Sequence, residues 1–135
     1  MTTGQPLSVA SIAAGAEAVG VALSDLQAEA LLQYAELLLK WNKVYNLTSL
    51  RDPREVLTLH LIDSLSGVAA LRRAIAGQEP SGPTGCFSVM DVGSGGGLPG
   101  VVLAVACPEL HVTCVDAVAK KAAFIQQVAA QLPRE

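Results

Sequence analysis

The sequence predicts an α/β fold with a small parallel sheet and an N-terminal helical extension. Two short apolar runs, 86–92 and 110–116, have the length of buried strands. Helix-compatible segments follow them near 98–106 and over 118–131, and alternating strands and helices imply a parallel, right-handed βαβ unit. Before this unit, apolar residues recur at three- and four-residue spacing, which is typical of amphipathic helices.

The helical extension is expected to contain two strong helices and one weak one. Ser24 and Gln27 fit a capping box at the start of the first strong helix. The second runs over 53–75 behind an Asp-Pro start signal. The stretch 8–19 contains glycine, so we expect only a marginal helix there.

A Gly/Pro-rich loop over 76–85 marks the division of the chain. We therefore predict two regions, a helical region over 1–80 and an incomplete α/β domain over 81–135. Only two strands are predicted in the second region, and such a sheet leaves an edge open.

A cluster of glycines follows the first predicted strand. Gly93, Gly95 and Gly97 lie between a strand and a helix, an arrangement that brings a ligand against free backbone N–H groups. Asp91 lies at the end of that strand, where the ligand crevice of an open α/β sheet is found. Asp116 ends the next strand, where a carboxylate could accept hydrogen bonds from both ribose hydroxyls of an adenosine-containing ligand.

Composition excludes several classes of protein. The chain has 135 residues, of which 51% are hydrophobic and 16% charged, so we expect a compact domain rather than disorder. It contains no apolar run of the roughly 18 residues that span a membrane, and residues 1–18 lack the basic start of a secretory signal. The three cysteines form no C-x-x-C pair, which favours buried thiols in a cytoplasmic protein. A net charge of −3 argues against a strong sequence-independent nucleic-acid binder, although it allows a local basic patch.

His60, Asp63 and Ser64 are polar residues on the otherwise apolar face of the second strong helix. A hydrolase site is disfavoured because the sequence contains no G-x-S-x-G motif. A metal site is disfavoured because His60 and Asp63 have no third ligand. We expect a buried hydrogen-bond network or the floor of a pocket.

The segment 91–100, Asp-Val-Gly-Ser-Gly-Gly-Gly-Leu-Pro-Gly, resembles the S-adenosylmethionine motif of class I methyltransferases. Its Gly-Leu-Pro-Gly ending is similar to that of the RsmG (glucose-inhibited division protein B) family, the bacterial 16S ribosomal RNA guanine-N7 methyltransferases. The segment 41–48 resembles the family's W-N-x-x-x-N-L-T stretch, and 60–64 its His-x-x-Asp-Ser pattern.

The resemblance implies a Rossmann-like class I methyltransferase fold, truncated to about the first two thirds of a family member. S-Adenosyl-L-methionine would be the cofactor, with Gly93, Gly95 and Gly97 against its methionine part. Leu98 would pack on it and Asp116 would hold its ribose, while Asp91 lies beside them. No catalytic residue and no metal ligand is assigned.

The resemblance also implies methyl transfer to guanine N7 in 16S ribosomal RNA. The RNA or the small ribosomal subunit is then the partner, and we expect a monomeric, cytoplasmic protein without membrane association. A positive strip could meet RNA phosphates, with Trp41 or Tyr45 available for stacking. The strip consists of Lys40, Lys43, Arg51 and Arg54.

Alternatives remain open for the strip and for the function. The strip can equally be a solvated helix end over core aromatics. The chain can be a truncated, non-enzymatic fragment or an RNA-associated module. A nucleotide-dependent oxidoreductase is disfavoured, because the G-x-G-x-G spacing does not match the dinucleotide pattern.

Overall fold

The computed structural model describes residues 6–47 and 52–132. In chain order these ranges contain α1 (Val9–Ala18), α2 (Asp25–Tyr45), α3 (53–65), α4 (Val68–Ile75), β1 (Phe87–Val92), α5 (Gly100–Ala106), β2 (Leu110–Val115) and α6 (Ala119–Gln131). The predicted α/β class with a small parallel sheet is confirmed.

The two strands pair in parallel, with Phe87 opposite Leu110 and Val92 opposite Val115. Side chains alternate between the two faces of the sheet, as the period of a strand requires. One face packs on the core. The other leaves apolar side chains in solvent, since Met90 is 65% and Val92 74% exposed.

Helix α1 is better defined than the sequence predicted. Ser8 and Ser11 form a capping box at its start, and Ile12 is fully buried. Gly15 weakens helix propensity, but a Cβ there would collide with Ile62 of α3. The glycine therefore allows α1 and α3 to approach each other closely.

Helix α2 begins with the predicted capping box. The side chain of Ser24 accepts a hydrogen bond from the Gln27 N–H at 3.1 Å, and Gln27 Oε1 accepts one from the Ser24 N–H at 2.8 Å. Gln27 Nε2 also donates to the Val105 carbonyl oxygen at 3.0 Å, which connects α2 to the end of α5. The helix ends at Asn46, whose φ of 52° is left-handed.

The segment predicted as one helix over 53–75 is divided. Asp52 caps its first turn, Val56–Ile62 winds as a π-helix, and the helix is interrupted at Ser66 and Gly67 before α4. Apolar periodicity could not distinguish these windings, since π and α turns bury nearly the same stripe of residues.

Most of the buried apolar residues among those described form a hydrophobic cluster that both regions of the chain share. It includes Ile12 of α1, Leu38 of α2 and Phe124 of α6. The Tyr34 ring lies 6.2 Å and the Trp41 ring 5.4 Å from the Phe124 ring, measured between centroids. Helix α6 therefore packs directly on α2.

All three cysteines are free thiols. Cys107 is buried, whereas Cys86 and Cys114 are partly accessible. Across the described ranges, every helix is too short or too polar to traverse a lipid bilayer.

Candidate functional site

The glycine loop connects β1 to α5 at the carboxyl end of the sheet. Its start is fixed to β2, because the N–H groups of Gly93 and Ser94 both donate to the Val115 carbonyl oxygen, at 2.7 and 3.1 Å. Positive φ angles of 71°, 58° and 94° occur at Gly93, Gly95 and Gly97. Other residues adopt this conformation only with strain, so the loop path requires glycine at these points.

Two glycines at the far end of the loop serve close packing. A Cβ on Gly97 would lie 2.6 Å from Val101 Cγ2, and a Cβ on Gly100 would lie 2.7 Å from Cys114 Sγ. Gly100 therefore lets α5 sit directly on the sheet, and Gly97 lets the loop lie close to Val101 and to Ile125 of α6.

Gly93 and Gly95 differ from that pair. A Cβ on either would meet no atom within 4 Å, so their outer side faces open space. The backbone is thus accessible to a ligand at the positions where the sequence predicted close approach. Contact of this cradle with the methionine part of S-adenosylmethionine stays a prediction.

Asp116 lies directly beside the cradle. Its Oδ2 accepts a hydrogen bond from the Gly95 N–H at 2.8 Å, and its Oδ1 accepts one from the Val118 N–H at 2.9 Å. Hydrogen bonds from the Val118 and Gly95 amides lower the pKa of the Asp116 carboxyl, with a smaller contribution from Lys121. The group is therefore an anionic hydrogen-bond acceptor at neutral pH, and its contact with a ribose stays a prediction.

Asp91 also contacts the loop. Its Oδ2 accepts a hydrogen bond from the Gly100 N–H at 2.9 Å, at the first turn of α5. The carboxylate holds the far end of the loop against the end of β1. Its contact with a ligand stays a prediction.

Tyr34 of α2 reaches the loop from the helical region. Its hydroxyl donates a 2.5 Å hydrogen bond to the Gly96 carbonyl oxygen. Burial raises the pKa of the Tyr34 phenol well above its usual value, and Cys114 and Asp91 add to the shift. The phenol therefore stays a neutral donor, and the loop is fixed from a third side.

Leu98 and the polar trio of α3 line a shared cavity. The sequence predicted a pocket-floor role for His60, Asp63 and Ser64, and the structure brings all three to a cavity of about 370 Å³ whose other wall includes Leu98. Burial lowers the pKa of His60, so its imidazole is neutral at pH 7.

The residues of the positive strip divide into three groups. Lys40 and Lys43 are exposed on α2, whereas Arg54 lies 3.5 Å from the Asp52 carboxylate and is partly neutralised. Arg51 lies outside the described residues. Their contact with RNA stays a prediction.

Of the two aromatic residues predicted for stacking, Trp41 packs on Phe124 in the core. Tyr45 is 42% exposed, and Lys120 Nζ lies 5.7 Å from its ring centroid. The cation–π contact brings Lys120 of α6 close to the carboxyl end of α2.

A glycine loop after a parallel strand, with an acidic residue after the next strand, is the arrangement by which α/β proteins bind nucleotide-like ligands. Residues 27–135 match the model of the family described as GidB, rRNA small subunit methyltransferase G. The chain belongs to this methyltransferase family, as the resemblance predicted.

Curated relatives support the same family. Proteins named ribosomal RNA small subunit methyltransferase G are 59% identical over 120 residues in Acidovorax sp. (strain JS42) and 53% identical over 136 residues in Paracidovorax citrulli (strain AAC00-1). These alignments cover 87% and 98% of this chain but 53% and 56% of the relatives. The chain spans about half the length of the curated relatives it matches, less than the two thirds expected from the sequence.

Sequence reasoning missed two residues that shape the site. Tyr34 was not singled out among the periodic residues of the first strong helix, although a buried phenol requires a hydrogen-bond partner. Gly100 was counted as the end of the motif and not as a packing position. The hydroxyl of Tyr34 was a signal that the sequence contained. The role of Gly100 depends on its close approach to Cys114, which lies on the next strand and could not be inferred from the sequence.

Proposed function

We propose that the chain contributes the donor-binding half of an S-adenosylmethionine-dependent methyltransferase that acts on guanine N7 of 16S ribosomal RNA. One observation carries this proposal. The open backbone cradle at Gly93 and Gly95 lies beside the anionic acceptor Asp116. The relatives named ribosomal RNA small subunit methyltransferase G support the RNA substrate.

In this proposal the donor's ribose hydroxyls bind Asp116, and its methionine part lies along the cradle. Leu98 packs against it, while Asp91 and Tyr34 hold the loop in position through Gly100 and Gly96. Because three separate elements restrain the loop, its binding conformation is formed before the ligand arrives.

When bound, S-adenosylmethionine supplies a methyl group made electrophilic by its sulfonium. Guanine N7 carries a free lone pair, so no proton has to leave before attack and no general base is required. The residues of the site therefore act by orienting donor and acceptor.

RNA would approach over the exposed lysines of α2 and α6, namely Lys40, Lys43 and Lys120. Their charges attract phosphates without reading sequence. In this proposal the enzyme works as a monomer in the cytoplasm, with 16S ribosomal RNA or the small ribosomal subunit as its partner.

The second candidate function is a non-enzymatic, RNA-associated module. The observation in its favour is the exposed lysines of α2 and α6, namely Lys40, Lys43 and Lys120. Such a module would bind RNA through the same lysines and would have no affinity for the donor.

Calorimetric titration with S-adenosylmethionine, S-adenosylhomocysteine and NAD separates these functions. We expect binding of the first two and none of NAD. Gly95→Ala is expected to abolish binding, because its Cβ would occupy the cradle.

Gly77→Ala is the matched control. Gly77 also has a positive φ and open space around its Cα, so the substitution introduces similar strain, but it lies far along the chain from the loop. A folded wild-type chain that binds neither adenosyl ligand, or an equal reduction of affinity in both variants, would contradict the proposal.

A further inference from the structure

The cavity between α3 and the end of the glycine loop contains polar groups that the proposed donor site does not use. Its volume of about 370 Å³ lies in the range of small-molecule pockets. It is lined by Leu59, His60, Asp63, Ser64, Gly67, Leu98, Pro99 and Leu103.

Asp63 is the charged group of the cavity, and its side chain is exposed to solvent. Within residues 6–47 and 52–132, its carboxylate accepts no hydrogen bond and forms no ion pair. His60 does not neutralise it, because burial holds the pKa of the imidazole below its usual value. The exposed carboxylate is hydrated and can exchange its water for a ligand, and its two acceptor oxygens fit a ligand with two adjacent donors.

The position of the cavity relates it to the donor. Leu98 lines the cavity and directly follows Gly97 of the glycine loop. Any ligand in the cavity is consequently next to a molecule that lies along the loop. This is the relation that methyl donor and methyl acceptor must have.

We propose that this cavity is the subsite for the acceptor base and that Asp63 determines its specificity for guanine. The inference depends on the proposed function. Guanine presents N1–H and the N2 amino group side by side on its Watson–Crick edge, and one carboxylate can accept from both. Adenine presents an acceptor at N1 and is rejected.

Engagement of that edge leaves guanine N7, on the opposite side of the base, free to face the donor. Ser64 is a positioning residue, since its hydroxyl can donate to O6, next to N1 on the same edge. Enzymes that modify bases commonly read an extruded base in this way. A phosphate is disfavoured here by the charge of Asp63, whereas an amine is the competing occupant.

The test is a two-dimensional ¹H–¹⁵N NMR titration of the ¹⁵N-labelled chain with the 5′-monophosphates of guanosine, inosine, xanthosine and adenosine. Inosine lacks the N2 amino group. We expect about tenfold tighter binding of the guanosine nucleotide than of the inosine nucleotide, the discrimination of a good bidentate pair. The shifted resonances should belong to residues 59–67 and 98–103.

The decisive variant is Asp63→Asn. An amide presents one donor and one acceptor, which match the O2 and N1–H of xanthine, so the preference should change from guanosine to xanthosine. Because Asp63 has no partner among the described residues, we expect the variant to fold. Glu36→Gln removes one exposed charge from α2 and should keep the guanosine preference.

Three outcomes would overturn the assignment: no binding of any nucleotide, equal affinity for guanosine and inosine, or an unchanged preference in Asp63→Asn. Enhanced affinity for n-butylamine that disappears in the variant would identify an amine site instead. In each of these outcomes the proposed function would still stand if the wild-type chain binds the donor and Gly95→Ala does not. Absence of donor binding would be a failure of the proposed function itself.

Discussion

The hydroxyl of Tyr34 and the carbonyl oxygen of Gly96 form a 2.5 Å hydrogen bond between positions 62 residues apart. Both groups are buried, so neither can exchange its partner for water. The conformation of the glycine loop therefore depends on a helix from the N-terminal region.

Tyr34→Phe is expected to lower the free energy of unfolding by about 1 to 3 kcal/mol, because it leaves a buried carbonyl oxygen unpaired. Urea denaturation followed by circular dichroism would measure this. Tyr45→Phe, at a partly exposed phenol, should change stability by less than about 0.5 kcal/mol. Equal effects would show that the Tyr34 hydroxyl does not stabilise the fold.

Stability should also fall in alkali because of Tyr34. Its pKa is raised above 10.0 in the folded protein, so the unfolded chain loses the phenolic proton first. The stabilisation is complete below pH about 10 and is lost as pH rises from there through the folded pKa. Urea midpoints at increasing pH would measure the slope, which Tyr34→Phe should reduce. An identical pH dependence in the wild type and in Tyr34→Phe would show that Tyr34 does not cause the loss of stability in alkali.

Gly100→Ala should destabilise the protein by about 1 to 3 kcal/mol, the usual effect of overpacking. The new Cβ would lie 2.7 Å from Cys114 Sγ and 2.8 Å from Asp91 Oδ2. In Gly67→Ala the Cβ meets nothing closer than 3.5 Å, so thermal unfolding should differ between the two. Adding Cys114→Ala to the Gly100→Ala protein should recover part of the lost stability. If the effects of the two substitutions on the free energy of unfolding simply add, the predicted clash is wrong.

Asp116→Ala should weaken S-adenosylmethionine binding about tenfold or more, since it removes a charged acceptor. Calorimetry would give the change in Kd. The control is Asp52→Ala, which removes another capping carboxylate that accepts a backbone N–H, at 2.9 Å from Arg54. Donor affinity unchanged in Asp116→Ala would exclude this carboxylate from ribose binding.

Replacement of Lys43 and Lys120 by Gln should reduce the salt dependence of RNA binding. For each phosphate that a lysine no longer neutralises, the slope of log K against log salt becomes shallower by roughly 0.7 to 0.9. Fluorescence anisotropy with a 16S ribosomal RNA hairpin at several salt concentrations would measure it. Arg73→Gln, on exposed α4, should leave the slope unchanged, and equal slopes in all proteins would place the RNA elsewhere.

Local sequence signals predicted much of the fold. The capping box at Ser24 and the apolar runs 86–92 and 110–116 identified α2, β1 and β2, because these signals act within a few residues. Local signals did not predict that α1 would be a well-defined helix. They also did not predict the π-helical turns of Val56–Ile62. Both features depend on tertiary packing such as that between Gly15 and Ile62, which periodicity does not reveal.

For the candidate site, the sequence indicated which residues would meet but not how. Gly95 and Asp116 were assigned to one ligand, and the structure joins them by a hydrogen bond. Tyr34 was missed, since its hydroxyl is satisfied by a carbonyl 62 positions away. Long-range partners of this kind follow from the packing of complete helices, which a single sequence does not specify.

Trp41 is the only tryptophan in the chain, and its ring lies between Tyr45 of α2 and Phe124 of α6. The intrinsic fluorescence of the protein therefore monitors one event, the docking of α6 on α2. Separation of these helices would expose the indole to water and shift its emission to longer wavelength. The chain thus contains its own optical probe for the packing of its two regions, without a dye or a label.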